Sequence, residues 1–503
     1  MSEKAKKGFK MPSSYTVLLI IIAIMAVLTW FIPAGAFIEG IYEAQPQNPQ
    51  GIWDVLMAPI RAMLGTHPEE GSLIKETSAA IDVAFFILMV GGFLGIVNKT
   101  GALDVGIASI VKKDKGREKM LILVLMPLFA LGGTTYGMGE ETMAFYPLLV
   151  PVMMAVGFDS LTGVAIILLG SQIGCLASTL NPFATGIASA TAGVGTGDGI
   201  VLRLIFWVTL TALSTWFVYR YADKIQKDPT KSLVYSTRKE DLKHFNVEES
   251  SSVESTLSSK QKSVLFLFVL TFILMVLSFI PWTDLGVTIF DDFNAWLTGL
   301  PVIGNIVGSS TSALGTWYFP EGAMLFAFMG ILIGVIYGLK EDKIISSFMN
   351  GAADLLSVAL IVAIARGIQV IMNDGMITDT ILNWGKEGLS GLSSQVFIVV
   401  TYIFYLPMSF LIPSSSGLAS ATMGIMAPLG EFVNVRPSLI ITAYQSASGV
   451  LNLIAPTSGI VMGALALGRI NIGTWWKFMG KLVVAIIVVT IALLLLGTFL
   501  PFL

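Results

Sequence analysis

Charge is what this chain has least of. Among its 503 residues, 13% are Asp, Glu, Lys or Arg, against 54% hydrophobic. A soluble globular protein carries about 25% charged residues, and a chain with half that fraction cannot cover a water-facing surface. The scarcity is not local: stretches free of all four charged residues run over Met11–Ile38, Met120–Gly139, Thr142–Phe158, Ser160–Gly197, Ser263–Thr283, Phe293–Pro320, Gly322–Leu339, Gly388–Gly430, Pro437–Gly468 and Leu482–Leu503. A membrane span takes about 20 apolar residues, so the chain reads as a polytopic membrane protein. One cysteine, Cys175, excludes an intrachain disulfide. Two histidines, His67 and His244, both expected in loops, leave little for a Cys/His metal site or an intramembrane catalytic set. The phosphate loop G-x-x-x-x-G-K-[ST] is absent, which removes ATP-driven transport by this chain alone. A net charge of -3 gives no reason to expect nucleic acid as a partner.

The few charges set an orientation, because Lys and Arg collect in cytoplasmic loops. Lys4, Lys6, Lys7 and Lys10 place the N-terminus inside, as do Lys112–Lys119 for the next basic loop. The Ser-rich, mixed-charge stretch 223–262 reads as a flexible cytoplasmic linker. Between Ser263 and Leu339 there is no Lys or Arg, while Asp284, Asp291, Asp292 and Glu321 mark an external loop. Lys340 and Lys343, then Arg469, Lys477 and Lys481, return the chain to the inside. About eleven spans follow, with the C-terminus external. The first span imitates a secretory signal with Ala34-Gly35-Ala36 as its cleavage site, but its length favours a retained helix.

Glycine, by contrast, is abundant at 50 residues, and it gathers with hydroxyls in two places. The run Gly133-Thr134-Thr135-Tyr136-Gly137-Met138-Gly139-Glu140-Glu141-Thr142-Met143 aligns with Pro413-Ser414-Ser415-Ser416-Gly417-Leu418-Ala419-Ser420-Ala421-Thr422-Met423 at an offset of 280. Ser171-Gln172 through Ser178-Thr179-Leu180-Asn181-Pro182 aligns with Gln445-Ser446 through Asn452-Leu453-Ile454-Ala455-Pro456-Thr457-Ser458 at 274. Each run interrupts an apolar segment, and proline breaks a helix. Combined with the charge-based orientation, the two units enter from opposite faces and form inverted repeats. The expected division is 1–80 for the N-terminal segment, first span and external loop. Repeat 1 covers 81–222, with hairpin 120–150 and broken helix 162–192. After the linker at 223–262 come scaffold helices at 263–354. Repeat 2 covers 355–503, with hairpin 395–433, broken helix 437–470 and a final span.

Irregular backbone at membrane depth survives only where protein or a wet cavity satisfies it. Helix N-termini there attract anions, and freed carbonyls hold cations. The candidate binding residues are therefore Thr134, Thr135, Ser414, Ser415 and Ser416 at the tips, and Ser178, Thr179, Asn181, Thr185, Asn452, Thr457 and Ser458 at the breaks. Glu140 and Glu141, costly beside a membrane hairpin unless solvated, paired or used, are candidates for an ammonium group or a proton. Arg366, inside the apolar run Leu355–Met372, is a candidate anion contact, with Asp354 or Asp374 as its structural alternative. Cys175 reads as a packing residue.

These motifs resemble the YfcC-type carriers, a group similar to the DcuC-type anaerobic C4-dicarboxylate carriers and to arginine/ornithine-type antiporters of the ion transporter superfamily. The resemblance covers nearly the whole chain. It implies an all-α, elevator-type secondary transporter with a scaffold and a moving transport domain, a homodimer in the bacterial inner membrane. The tips depart from the Ser-Asn-Thr pattern of dicarboxylate carriers, which puts Asn-based sodium sites in doubt; Asn181 and Asn452 are substitutes. The resulting expectation is transport of small carboxylate-bearing solutes, foremost basic amino acids by antiport. No cofactor is expected, and sodium ions or protons are the coupling ions. C4-dicarboxylate transport is the alternative, and an ion channel is the alternative of another class.

Overall fold

The computed structural model describes residues 14–500 apart from 39–40, 70–71, 78, 104, 106–117, 246, 248–256, 281, 284–285, 309 and 390. The N-terminal lysines, most of the loop Lys112–Lys119 and Asp284 lie outside these residues. The described chain is helical between its loops except for one antiparallel hairpin, β1 (Gly35–Ile38) and β2 (Ile41–Ala44), with Gly35 opposite Ala44, and an isolated bridge between Thr66 and Thr77. Ala34-Gly35-Ala36 is thus built into the fold, and the Gly35 N–H donates to the Met376 carbonyl at 3.0 Å.

The chain opens with α1 (Ser14–Leu28), α2 (Ile52–Leu64) and α3 (Ile81–Lys99). Then come α4 (Met120–Tyr136) and α5 (Tyr146–Ala155), connected through a 3-10 turn at Glu140–Phe145. Gly137 ends α4 in the left-handed region, with φ 80°, where a residue without Cβ is at no steric disadvantage. Next comes α6 (Ser160–Leu176), a break, a π-turn at Pro182–Gly186 and the short α7 (Ile187–Ala192). The long α8 (Ile200–Lys227) leads to α9 (Arg238–His244), α10 (Ser259–Phe279), α11 (Ile289–Gly299), α12 (Ile303–Val307) and α13 (Phe319–Tyr337). Then follow α14 (Glu341–Asp374), α15 (Thr378–Leu389), α16 (Ser394–Leu411), α17 (Ser415–Phe432), α18 (Pro437–Ile454), α19 (Gly459–Leu467) and α20 (Ile472–Phe499).

Among the described residues, eight helices are long and apolar enough to cross a membrane, and Tyr15–Leu28, Met120–Thr135 and Ser160–Leu176 are apolar but shorter. Met120–Tyr136 ends at Gly137 and Ser160–Leu176 stops before Asn181-Pro182, so neither reaches the length of a full span. Two expected boundaries also shift. α14 runs unbroken across 354–355, and α8 across 222–223. The stretch 223–262 is not simply a loose linker, because its described first half is packed: buried Asp241 accepts from Arg469 Nε at 3.2 Å, and Ser232 donates to Asp159 at 2.6 Å. His244 closes α9 rather than standing in a loop.

Small residues set the closest packing. On α3 and α14, a Cβ at Gly95 would sit 2.1 Å from the Ser347 carbonyl and one at Gly91 2.4 Å from that of Gly351. Backbones meet there as in membrane helix pairs built on small residues. Beside this seam, Phe86, Phe93, Phe272 and Phe326 interlock edge to face across α3, α10 and α13, and Phe268 stacks on Phe93. Elsewhere α4 packs on α6, with Gly133 and Gly174 at the crossing, while α16 packs on α18. The first segments of the two broken helices, α6 and α18, lie against each other, and a Cβ at Gly449 would fall 2.4 Å from Leu176 Cα.

Candidate functional site

The site forms because four helix ends stop at one place. Ser414 caps α17, its Oγ accepting the Gly417 N–H at 3.1 Å, and Ser458 caps α19 by accepting from Val461. On the first hairpin, buried Glu141 folds its carboxylate back onto the Gly139 N–H at 2.7 Å. Asn181 turns the first break by accepting from the Phe183 and Ala184 N–H groups at 2.9 and 3.2 Å. Between these ends lies a cavity of about 210 Å³. That is smaller than the roughly 300–1,000 Å³ of drug-sized sites, and on the scale of a small metabolite.

Its wall takes up part of the expected set. Glu140, Glu141, Asn181, Arg366, Ser414, Ser415, Ser416, Asn452 and Thr457 line it. The Thr457 hydroxyl is buried without a hydrogen-bond partner among the described residues, an oddity that a bound solute would resolve. Arg366 does not pair with Asp374, which Arg61 takes; its guanidinium donates to the Ala79 carbonyl at 2.8 Å and borders the cavity.

Thr134, Thr135, Ser178, Thr179, Thr185 and Ser458 are not among the lining residues. Thr134 and Thr179 clasp the hairpin tip to the break instead. Thr134 donates to the Ala177 carbonyl at 2.7 Å, and the Thr179 N–H donates to the Thr134 carbonyl at 2.9 Å. Thr135 bonds back to the Leu131 carbonyl of its own helix at 2.7 Å. Ser178 and Thr185 meet Gln445 from the other half: Thr185 Oγ1 donates to Gln445 Oε1 at 2.7 Å, and Gln445 Nε2 donates to the Ser178 carbonyl at 2.8 Å. These residues hold the cavity's wall in place rather than face its interior.

Four polar lining residues escaped the sequence reading: Gln172, Gln369, Gln445 and Ser448. Gln172 and Gln445 carried a signal, since each opens a matched stretch before a break. A further omission is Arg203, fully buried on α8, which donates to the carbonyls of Thr179, Thr196 and Asp198. It satisfies acceptors that the break releases. Its mark in the sequence was a lone cation within the apolar run 200–219.

Apolar helices that stop short around a polar cavity define a polytopic membrane transport protein. Residues 11–499 match the DcuC family, described as C4-dicarboxylate anaerobic carrier, and the chain belongs to that family. An uncharacterised protein of Haemophilus influenzae (strain Rd) is 32% identical over 517 aligned positions, covering 95% of both chains. YfcC of Escherichia coli (strain K12), whose name carries basic amino acid antiport as a provisional assignment, is 29% identical with 98% of both chains covered. The solved Alcanivorax borkumensis YdaH transporter aligns over 97% of this chain and 98% of its own at 15% identity, with a TM-score of 0.42. A likeness that loose bears on neither topology nor site.

Proposed function

We propose that the chain is a secondary transporter exchanging small carboxylate-bearing solutes, foremost basic amino acids, by elevator-type alternating access. One observation carries the substrate reading: the same small cavity holds two carboxylates, Glu140 and Glu141, opposite in sign to Arg366 and the capped N-terminus of α17 at Ser414–Ser416. A basic amino acid presents both charges. Its carboxylate is drawn to Arg366 and the positive end of the α17 dipole, and its side-chain cation to Glu140. Asn181, Asn452 and Thr457 supply neutral contacts. Glu141, already bonded to Gly139, is the group through which a coupling proton would pass; sodium is the other coupling ion considered.

In this reading the hairpin and broken helix of each half form an inverted pair and move together, while the α3–α14 seam belongs to the static scaffold of a homodimer in the inner membrane. The N-terminus is cytoplasmic and the C-terminus external. C4-dicarboxylate transport is the second reading, favoured by the family description and by the cationic side of the cavity, but it sets two substrate carboxylates against two glutamates.

Counterflow in proteoliposomes decides between them, with arginine, ornithine, succinate and malate, each with and without a sodium or proton gradient. The expected result is exchange of arginine or ornithine, lost on Glu140→Gln. Exchange of succinate alone, or unchanged arginine exchange in both Glu140→Gln and Glu141→Gln, refutes the amino acid reading.

A further inference from the structure

Away from the central cavity, α8 and α20 end in a second, larger one. It occupies about 870 Å³, and six cations line it against a single carboxylate, Asp223. Helical spacing produces the cluster. Arg220, Lys224 and Lys227 recur along one side of α8, Lys477 and Lys481 stand one turn apart on α20, and Lys231 follows on the 3-10 turn after α8. Some of this charge is committed, since Lys227 pairs with Asp223 at 2.7 Å and Lys231 with Asp228 at 3.3 Å. Lys224, Lys477 and Lys481 are exposed and have no ion pair among the described residues. Below the cations the floor is aromatic: Phe478 packs edge-on against Phe217 and Tyr221 at 5.1 and 5.0 Å.

A third cavity completes the picture. It measures about 540 Å³, runs between α4 and α8, and is walled by Leu123, Pro127, Trp207, Val208 and Ala212 with almost no polar surface. Trp216 lines both cavities, which places the apolar one beside the charged one along α8, and the Arg220 guanidinium lies over the Trp216 ring at 5.1 Å. The exposed faces of Val208 on α8 and of Val484 and Val488 on α20 continue the apolar surface.

We propose that these adjoining cavities are a binding site for one anionic phospholipid, its phosphate held by Lys224, Lys477 and Lys481 and an acyl chain passing Trp216 into the apolar cavity. A soluble phosphate accounts for the cations but not for an apolar cavity set beside them. Basic pockets between membrane helices on the cytoplasmic side suit such headgroups, and an indole at the junction fits the interfacial position tryptophan favours. The site is distinct from the central cavity and does not rest on the transported solute.

The test uses the purified full-length protein in a neutral detergent and measures quenching of tryptophan fluorescence by phospholipids with brominated acyl chains. Brominated phosphatidylglycerol should quench at far lower concentration than brominated phosphatidylcholine. The triple substitution Lys224→Gln, Lys477→Gln, Lys481→Gln should weaken that preference roughly a hundredfold, from the typical contribution of each basic residue near an anionic lipid. The triple Lys→Arg variant should retain it, because guanidinium still pairs with phosphate. Equal quenching by the two lipids overturns the proposal, as does an unchanged preference in the Gln variant. Displacement of the lipid by glycerol phosphate alone also overturns it, since the site would then recognise a soluble anion.

Discussion

Gln445→Leu tests whether the two halves are locked together at the helix breaks. Gln445 is buried, with 1% of its surface exposed, and its amide makes both cross-half bonds to Thr185 and Ser178. Leucine fills a similar volume and can do neither. The Thr185 hydroxyl keeps a partner, because Ser178 Oγ lies 3.0 Å away. The Ser178 carbonyl keeps only a 3.5 Å approach from Thr185, too long to replace the lost bond. One buried acceptor is therefore left short, a loss of about 1–3 kcal/mol. Thr185→Val strands Gln445 Oε1 instead, at a similar cost. Because Gln445→Leu removes the oxygen that Thr185→Val strands, the double variant should cost less than the sum by roughly 1 kcal/mol, within the usual range for contacting residues. The assay is the unfolding midpoint of the four proteins in one detergent. Additivity to within about 0.5 kcal/mol refutes a direct bond between these side chains and with it the lock.

Gly174→Ala should destabilise by about 1–3 kcal/mol or lower the folded yield outright, because the new Cβ would stand 2.2 Å from the Ala130 carbonyl; a normal midpoint would mean that α4 and α6 do not cross this closely. Arg203→Met should cost roughly 3 kcal/mol or more by leaving three carbonyls without their donor, and Arg203→Lys should recover part of it in the same unfolding measurement. Asp241→Asn should weaken the hold of α9 on Arg469, by about 1–2 kcal/mol once the partial exposure of Arg469 is discounted. Limited trypsin digestion should then cut sooner after Lys239 and Lys243, and an unchanged digestion rate would count against the contact.

Where helices stop was written in local chemistry. Gly137, Asn181 with Pro182, Pro413 with Ser414, and Pro456 with Ser458 all stand where the backbone turns, because proline, glycine and capping hydroxyls act within a residue or two of themselves. Which hydroxyl faces the cavity was not legible, since this depends on how each helix is rotated against partners far along the chain. Thr134 and Ser414 occupy similar places in the sequence, yet Thr134 turns to the Ala177 carbonyl while Ser414 borders the cavity. The pairing of Gln445 with Ser178 spans 267 positions and leaves no local mark. The polar stretch after α8 misled for a related reason: its composition resembles a solvated linker, but a single buried contact such as Asp241 with Arg469 is enough to dock it.

The close approach of Leu176 and Gly449 has a bearing on how this protein can diverge. With so little room between α6 and α18, the cavity wall is a joint possession, and neither helix is at liberty to drift by itself. Change at this junction would need coordinated replacements on both sides of it. Positions 178, 185 and 445 are then expected to change in concert among relatives, while Glu140 and Arg366, which both line the central cavity, should track what each relative carries.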